Sequence, residues 1–132
     1  MSVLDDISDV LSSGGITPSI YKSVLPSTPD SVLALFETGG PAPIHAMAKG
    51  PGTAVVERPH VQVLSRDTRA DTARHIAQQA TALLDALERT VNGVRYLSVY
   101  AIQSPFFMQR DETGRVLYAV NFEVLRVPVT SS

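Results

Sequence analysis

The chain has 132 residues, no cysteine, and a formal net charge of −2 at pH 7. That length suits one domain over residues 1–132 with a single core. Absent thiols exclude disulfides, Cys-ligated zinc and thiol nucleophiles, and the near-neutral balance excludes the broad basic field that drives nucleic-acid binding. Charged residues make up only 18% of the chain, against a typical share of about 25%, so uncharged surface of the kind found on assembly subunits is expected. No apolar run approaches the ~20 residues of a membrane-spanning helix. The opening carries Asp5 and Asp6 instead of a basic region, so it does not read as a signal peptide, and a soluble protein made in a cytoplasm is expected.

In chain order, Val3, Leu4, Ile7, Val10 and Leu11 form one apolar stripe on a short helix over residues 2–13. Ser2 can cap it, Asp5 and Asp6 suit its positive end, and Gly14-Gly15 stops it. The helix is expected to pack on its own domain, with docking on a neighbouring subunit as the alternative. "ITPSIYKSVLP" reads as a strand ended by Pro26, and "STPD" as a turn into a second strand, "SVLALFE". Strands so close predict an antiparallel hairpin. Residues 38–53, "TGGPAPIHAMAKGPGT", are crowded with glycine and proline, which predicts a long loop without regular structure that contacts something or moves.

"RPHVQVLSR" is a third strand. Ala73, Ile76, Ala77, Ala80, Leu84, Leu87 and Val91 recur at steps of three and four, predicting a long helix from about Thr68 to Val91. Asp85 and Arg89 would pair on its outer face, and Asn92-Gly93 would end it. "VRYLSVYAIQ" is apolar on both faces, with Tyr96, Tyr100 and Ile102 on one and Leu97, Val99 and Ala101 on the other. It is either covered on both sides or meets a partner. "PFFMQR" and "RVLYAVNFEVLRV" flank the turn "DETG" and predict a closing hairpin. The order α-β-β-loop-β-α-β-β-β argues for α+β: a mostly antiparallel sheet with one long helix and a short N-terminal helix packed on it.

Side chains that carry chemistry do not converge. His45, His60 and His75 fall in a loop, a strand and a helix, without the spacing of a metal site. No G-x-S-x-G occurs. Asp5/Asp6 and Asp111/Glu112 are expected in water, with ordinary acidity. "AKGPGT" lacks the residue order and the following helix of a phosphate loop. Arg66, Arg69 and Arg74 cluster with Asp67 and Asp71 where the long helix begins. A surface ion-pair network is the expectation, ahead of a subunit–subunit salt bridge, and a DNA-facing patch comes last. In "SPFFMQ", Phe106, Phe107 and Met108 are consecutive, so at least one must leave the main core. That one either anchors a partner or lies under a helix.

"LPSTPDSVLALFETGG", "RPHVQVLSRDTRADTARHIAQQATALLDAL" and "SPFFMQRDETGRVLYAVNFEVLRV", in this order after the opening helix, resemble the phage minor capsid and tail-terminator family. The resemblance implies a non-enzymatic virion subunit without cofactor or metal. Such a subunit forms a ring, commonly a hexamer, that caps the tail tube at the tail–neck junction. Its partners would be copies of itself, the tail-tube protein and a head-completion or neck protein, with DNA passing through the lumen without sequence-specific binding. The surfaces available for this are the N-terminal helix, Pro41, Ile44 and Met47 of the Gly/Pro loop, the arginines 66, 69 and 74, and Phe106, Phe107 and Met108. Alternatives are another neck or head-completion subunit, a tail-tube-like protein, or a small cytoplasmic ligand-binding or enzymatic α+β domain. The last needs a pocket of convergent polar groups, and a nucleic-acid module needs a basic face with aromatics.

Overall fold

The computed structural model describes residues 2–45 and 55–127. Helix α1 (Val3–Ser13) starts on a capping box: Ser2 Oγ accepts from the Asp5 amide at 3.2 Å, and the Asp5 carboxylate accepts from the Ser2 amide at 3.0 Å. Its five apolar residues are buried in the protein's own core. The stripe is thereby spent at home, and α1 offers no apolar face to a neighbour.

Strands β1 (Ser19–Lys22) and β2 (Val32–Gly39) pair in parallel, Ser19 opposite Val32 and Lys22 opposite Leu35. The expected antiparallel hairpin is therefore wrong. Hairpins close with loops of about two to five residues, whereas residues 23–31 leave β1 at Ser23 (φ 64°) and carry the chain back along the sheet. Arg66 and Arg115 hold that return segment by its carbonyls: Arg66 donates to Pro29 and Asp30, and Arg115 to Ser27.

The expectation of a loop without regular structure over 38–53 is corrected at its start, while residues 46–53 lie outside the described residues. β2 continues to Gly39, and β3 (Ile44–His45) pairs with β4 (Val55–Val56) in a two-residue antiparallel ladder. This ladder and its flanks, residues 40–45 and 55–59, are termed the arm stem, and glycine and proline density did not prevent pairing there.

Strand β5 (His60–Asp67) leads into helix α2 (Ala70–Leu84), which is shorter than the periodicity predicts. β6 (Arg89–Val91) and β7 (Val94–Ala101) occupy the expected last turns and beyond. Asn92 and Gly93 both have positive φ, 50° and 80°, between the paired Val91 and Val94. Asn-Gly is the preferred dipeptide for such a hairpin turn, and the hairpin prevails over a helix stop. Asp85 and Arg89 are thus no helical pair; Asp85 Oδ1 instead accepts from the Ala101 amide at 2.9 Å. β8 (Phe106–Arg110) and β9 (Val116–Val127) form the expected closing hairpin.

The sheet order is β1-β2-β5-β9-β7-β6, and β8 lies against β9 beyond the end of β7. Every pair except β1–β2 is antiparallel, so the fold is α+β with a mostly antiparallel sheet and two helices. Residues from α1 and α2 share the main core with Leu33, Leu35, Val61, Val63, Val99, Val120 and Phe122 of the sheet. The opposite face carries a smaller cluster, Ala34, Leu64, Leu117 and Ala119, partly roofed by Leu25 of the return segment. Among the described residues no helix is long and apolar enough to cross a membrane.

Candidate assembly interface

The main apolar exposure lies along β7 and β8. Strand β7 carries a bulge between Tyr96 and Ser98, and an extra residue shifts the in–out alternation that follows it. Tyr96 and Val99 consequently both face the core, while Tyr100 turns outward with 55% of its surface exposed. The expected grouping of Tyr96 with Tyr100 fails at that bulge. Leu97 and Ile102 are exposed too, Ile102 by 53%.

All five residues of β8 are exposed. Phe106 lies opposite Ala119, on the helix-free face, and Phe107 opposite Tyr118, on the helix-bearing face. The Phe107 ring meets Tyr118 edge-on with centroids 6.1 Å apart, yet 53% of it remains exposed, and Met108 beside it is at 42%. Among the described residues no helix covers these side chains. Along β7 the outer edge is blunted: the Ala86 amide donates to Val99 O at 2.7 Å and Asp85 takes the Ala101 amide. β8, irregular between Phe107 and Gln109, has β9 as its only strand partner among the described residues, and an open edge flanked by apolar side chains is a template for association.

The arm stem forms the second surface. Pro41 is exposed and lines an open cleft of about 210 Å³ with Glu37, Pro43, Glu57, Arg58 and Arg126. Arg58 clamps the Ala42 carbonyl with Nε and Nη2, at 2.8 and 2.6 Å. Gly40 permits this closeness, because a Cβ there would sit 2.1 Å from the Arg58 carbonyl oxygen. Glu57 bonds Arg126 through both backbones and through the side chains at 2.8 Å. Ile44 belongs to the stem; Met47 lies outside the described residues.

The arginine cluster does not form the expected surface network. Arg69 and Arg74 are exposed, but Arg66 is buried and bonded to backbone carbonyls. Asp67, also buried, accepts from the Ser31 hydroxyl and from the Arg69 amide at 3.0 Å. Among the described residues no ion pair joins these arginines to Asp67 or Asp71.

Asp6, expected in water, is also out of it. It is fully buried, accepting from the Tyr96 hydroxyl and from Asn92 Nδ2 at 2.7 Å, with Arg126 Nη1 at 3.9 Å. Burial, then the Asp6 hydrogen bond, push the Tyr96 phenol far up from its ordinary acidity. This network ties α1 to the strand that carries the arm's anchor, Arg126.

A family model described as bacteriophage tail terminator protein matches residues 6–127. The chain belongs to the bacteriophage tail terminator family. It is accordingly a structural protein of a phage-type virion. Among solved structures, a chain from the virion of a native gene transfer agent particle matches with a TM-score of 0.66 and 13% identity, covering 96% of each chain. A second solved chain matches with a TM-score of 0.53 and 15% identity over 97% of this chain and 92% of its own. At such identities the likeness is one of fold. No curated protein matches the sequence.

Within this tail terminator fold, sequence reasoning found Phe106, Phe107 and Met108 but missed Tyr100 and Ile102 as part of the same exposed strip. Their signal was present in the two-faced apolar pattern of "VRYLSVYAIQ". The bulge that decides which face is open left no local mark.

Proposed function

We propose that the protein is a non-enzymatic tail terminator that caps the finished tail tube and joins it to the neck of the head. The observation that carries this reading is the family match combined with an apolar strip that wraps the β8 edge, Tyr100, Ile102 and Phe106 on the helix-free face and Phe107 on the other, with Met108 between, left uncovered. A monomer gains nothing from exposing such a strip, whereas copies arranged head to tail bury it. Copies close into a ring, six in number, with β8 and the arm stem at the contacts and Arg69 and Arg74 available to partners at the rim. The ring contacts the last tail-tube ring on one face and the head-completion or neck protein on the other. DNA passes through its lumen without sequence-specific binding, since the chain is near neutral. It acts at the tail–neck junction of the virion after synthesis in the host cytoplasm.

The test is the mass of the species formed alone and with purified tail-tube protein, by native mass spectrometry and electron microscopy of tube ends. Rings that decorate one end of each tube are expected. A strict monomer that never binds a tube end would falsify the proposal. Binding to a head-completion protein but not to tubes would assign it to a different neck position.

A further inference from the structure

Arg66 is a buried cation without a carboxylate. Only 3% of it is exposed, and its Nε and Nη2 donate to the carbonyls of Asp30 and Pro29 at 3.2 and 2.7 Å. The nearest ion pairs, Arg115 with Asp111 at 2.7 Å and with Asp30 at 3.3 Å, leave it out. Buried charges are ordinarily paired, because desolvation without a counter-charge is costly. Burial, and then the neighbouring Arg115 charge, lower the Arg66 pKa, with Asp111 and Asp30 pulling the other way.

Asp111 does not supply the missing charge. Its Oδ1 accepts from the Thr113 amide, the Thr113 hydroxyl and the Arg115 amide, and its Oδ2 from Arg115 Nε. Both arginines line an open cleft of about 350 Å³ between the 23–31 return segment and the β8–β9 turn, with Leu25, Ser27, Asp111, Glu112 and Thr113 completing its walls. Among the described residues, Arg66 Nη1 and Arg115 Nη2 make no hydrogen bond.

We infer that this cleft is a receptor for one carboxylate, presented by an acidic side chain of a partner protein. Arg66 Nη1 and Arg115 Nη2 keep free N–H donors, and charge-assisted bonds to a carboxylate are the strong ones for such groups. Glu112 in the wall, and the exposed Asp30 paired with Arg115 nearby, repel a polyanion more than a single charge, so a nucleic-acid backbone is disfavoured relative to one inserted side chain. Leu25 provides the apolar wall for that side chain's methylenes. That the donor belongs to the assembling virion rests on the function proposed above; the anion site rests on this chain's own geometry.

The probe is glutarate, titrated into the full chain while the arginine Nε–H resonances and Tm are followed. A saturable shift of the Arg66 resonance and a Tm that rises with glutarate concentration are expected. Arg66→Lys keeps the charge but loses the free Nη1 donor, and binding falls about tenfold or more. Should that variant unfold, Glu112→Gln on the exposed rim serves instead: removing one nearby negative charge tightens glutarate about threefold. A folded wild-type protein with no saturable response overturns the site. Tighter binding of inorganic phosphate, or the same resonance shift with duplex DNA, overturns the carboxylate assignment. Glutarate saturation in a protein that never assembles keeps the anion site and overturns only the assembling partner.

Discussion

The Tyr96 hydroxyl donates to Asp6 across 90 positions of sequence, and the receiving carboxylate has no exposure to water. Asn92 donates to the same carboxylate, and Arg126 stands 3.9 Å away. Removing one member of such a network leaves the others buried and unmatched. Tyr96→Phe should cost about 1–3 kcal/mol, and Asp6→Ala more, about 2–4 kcal/mol, since it removes the acceptor of both the Tyr96 hydroxyl and the Asn92 amide. Urea melts measure both. The assignment fails if Asp6→Ala costs no more than the same change at the exposed Asp9.

Acid sensitivity follows from two carboxyls held below their ordinary 3.8. Asp5 is brought to about 2, first by the Lys22 hydrogen bond and then by those from Ser2. At Asp111 burial acts to raise the pKa, but the combined hydrogen bonds from Arg115 and Thr113 outweigh it and also leave it at about 2. With the folded value depressed, each contribution is complete above the unfolded value and disappears as pH falls through the folded one. Stability should therefore drop between about pH 4 and pH 2. Asp5→Asn and Asp111→Asn should each flatten that slope in melts recorded across the window, and an unchanged slope in both counts against these contacts.

The apolar strip separates assembly from stability. Ile102→Asp should change folding stability by no more than about 0.5 kcal/mol, because the side chain is already in water. Phe107→Asp adds the loss of the edge-on contact with Tyr118, about 0.5–1.5 kcal/mol. Both should abolish rings and binding to tube ends. Normal ring formation by the two variants, seen in native mass spectra, would remove this strip from the interface.

Gly40 tests the arm. Its replacement by alanine drives a Cβ against the Arg58 carbonyl at 2.1 Å, a backbone clash that no rotamer relieves. The arm stem must shift while the cores, distant from it, stay intact. Expected are a native-like near-ultraviolet spectrum and weakened assembly. Wild-type assembly would show that the stem's position is immaterial.

Much of this architecture was legible in the residues. The stripe Val3-Leu4-Ile7-Val10-Leu11 specified α1, and Ser2 with Asp5 specified where it begins, since caps and periodicity are local properties. "DETG" between two apolar runs specified the β8–β9 hairpin for the same reason. The β8 residues of the candidate interface were visible because three consecutive large apolar side chains cannot all face one core.

What local pattern could not carry was decided by tertiary structure. Leu87 and Val91 continue the helical period, yet the Asn92-Gly93 turn draws Val91 into a strand because pairing with β7 outweighs a helix end. "STPD" reads as a hairpin turn, but β1 runs parallel to β2 because Arg66 and Arg115, distant in sequence, capture the carbonyls between them. Asp6 looks like a wet acid until β7 and β9 bring Tyr96 and Arg126 to it. The sequence by itself therefore determined α1, the β8–β9 hairpin and the α+β class. The fold alone determined which charges are buried and which apolar face stays open, because burial depends on residues that meet only when the sheet closes.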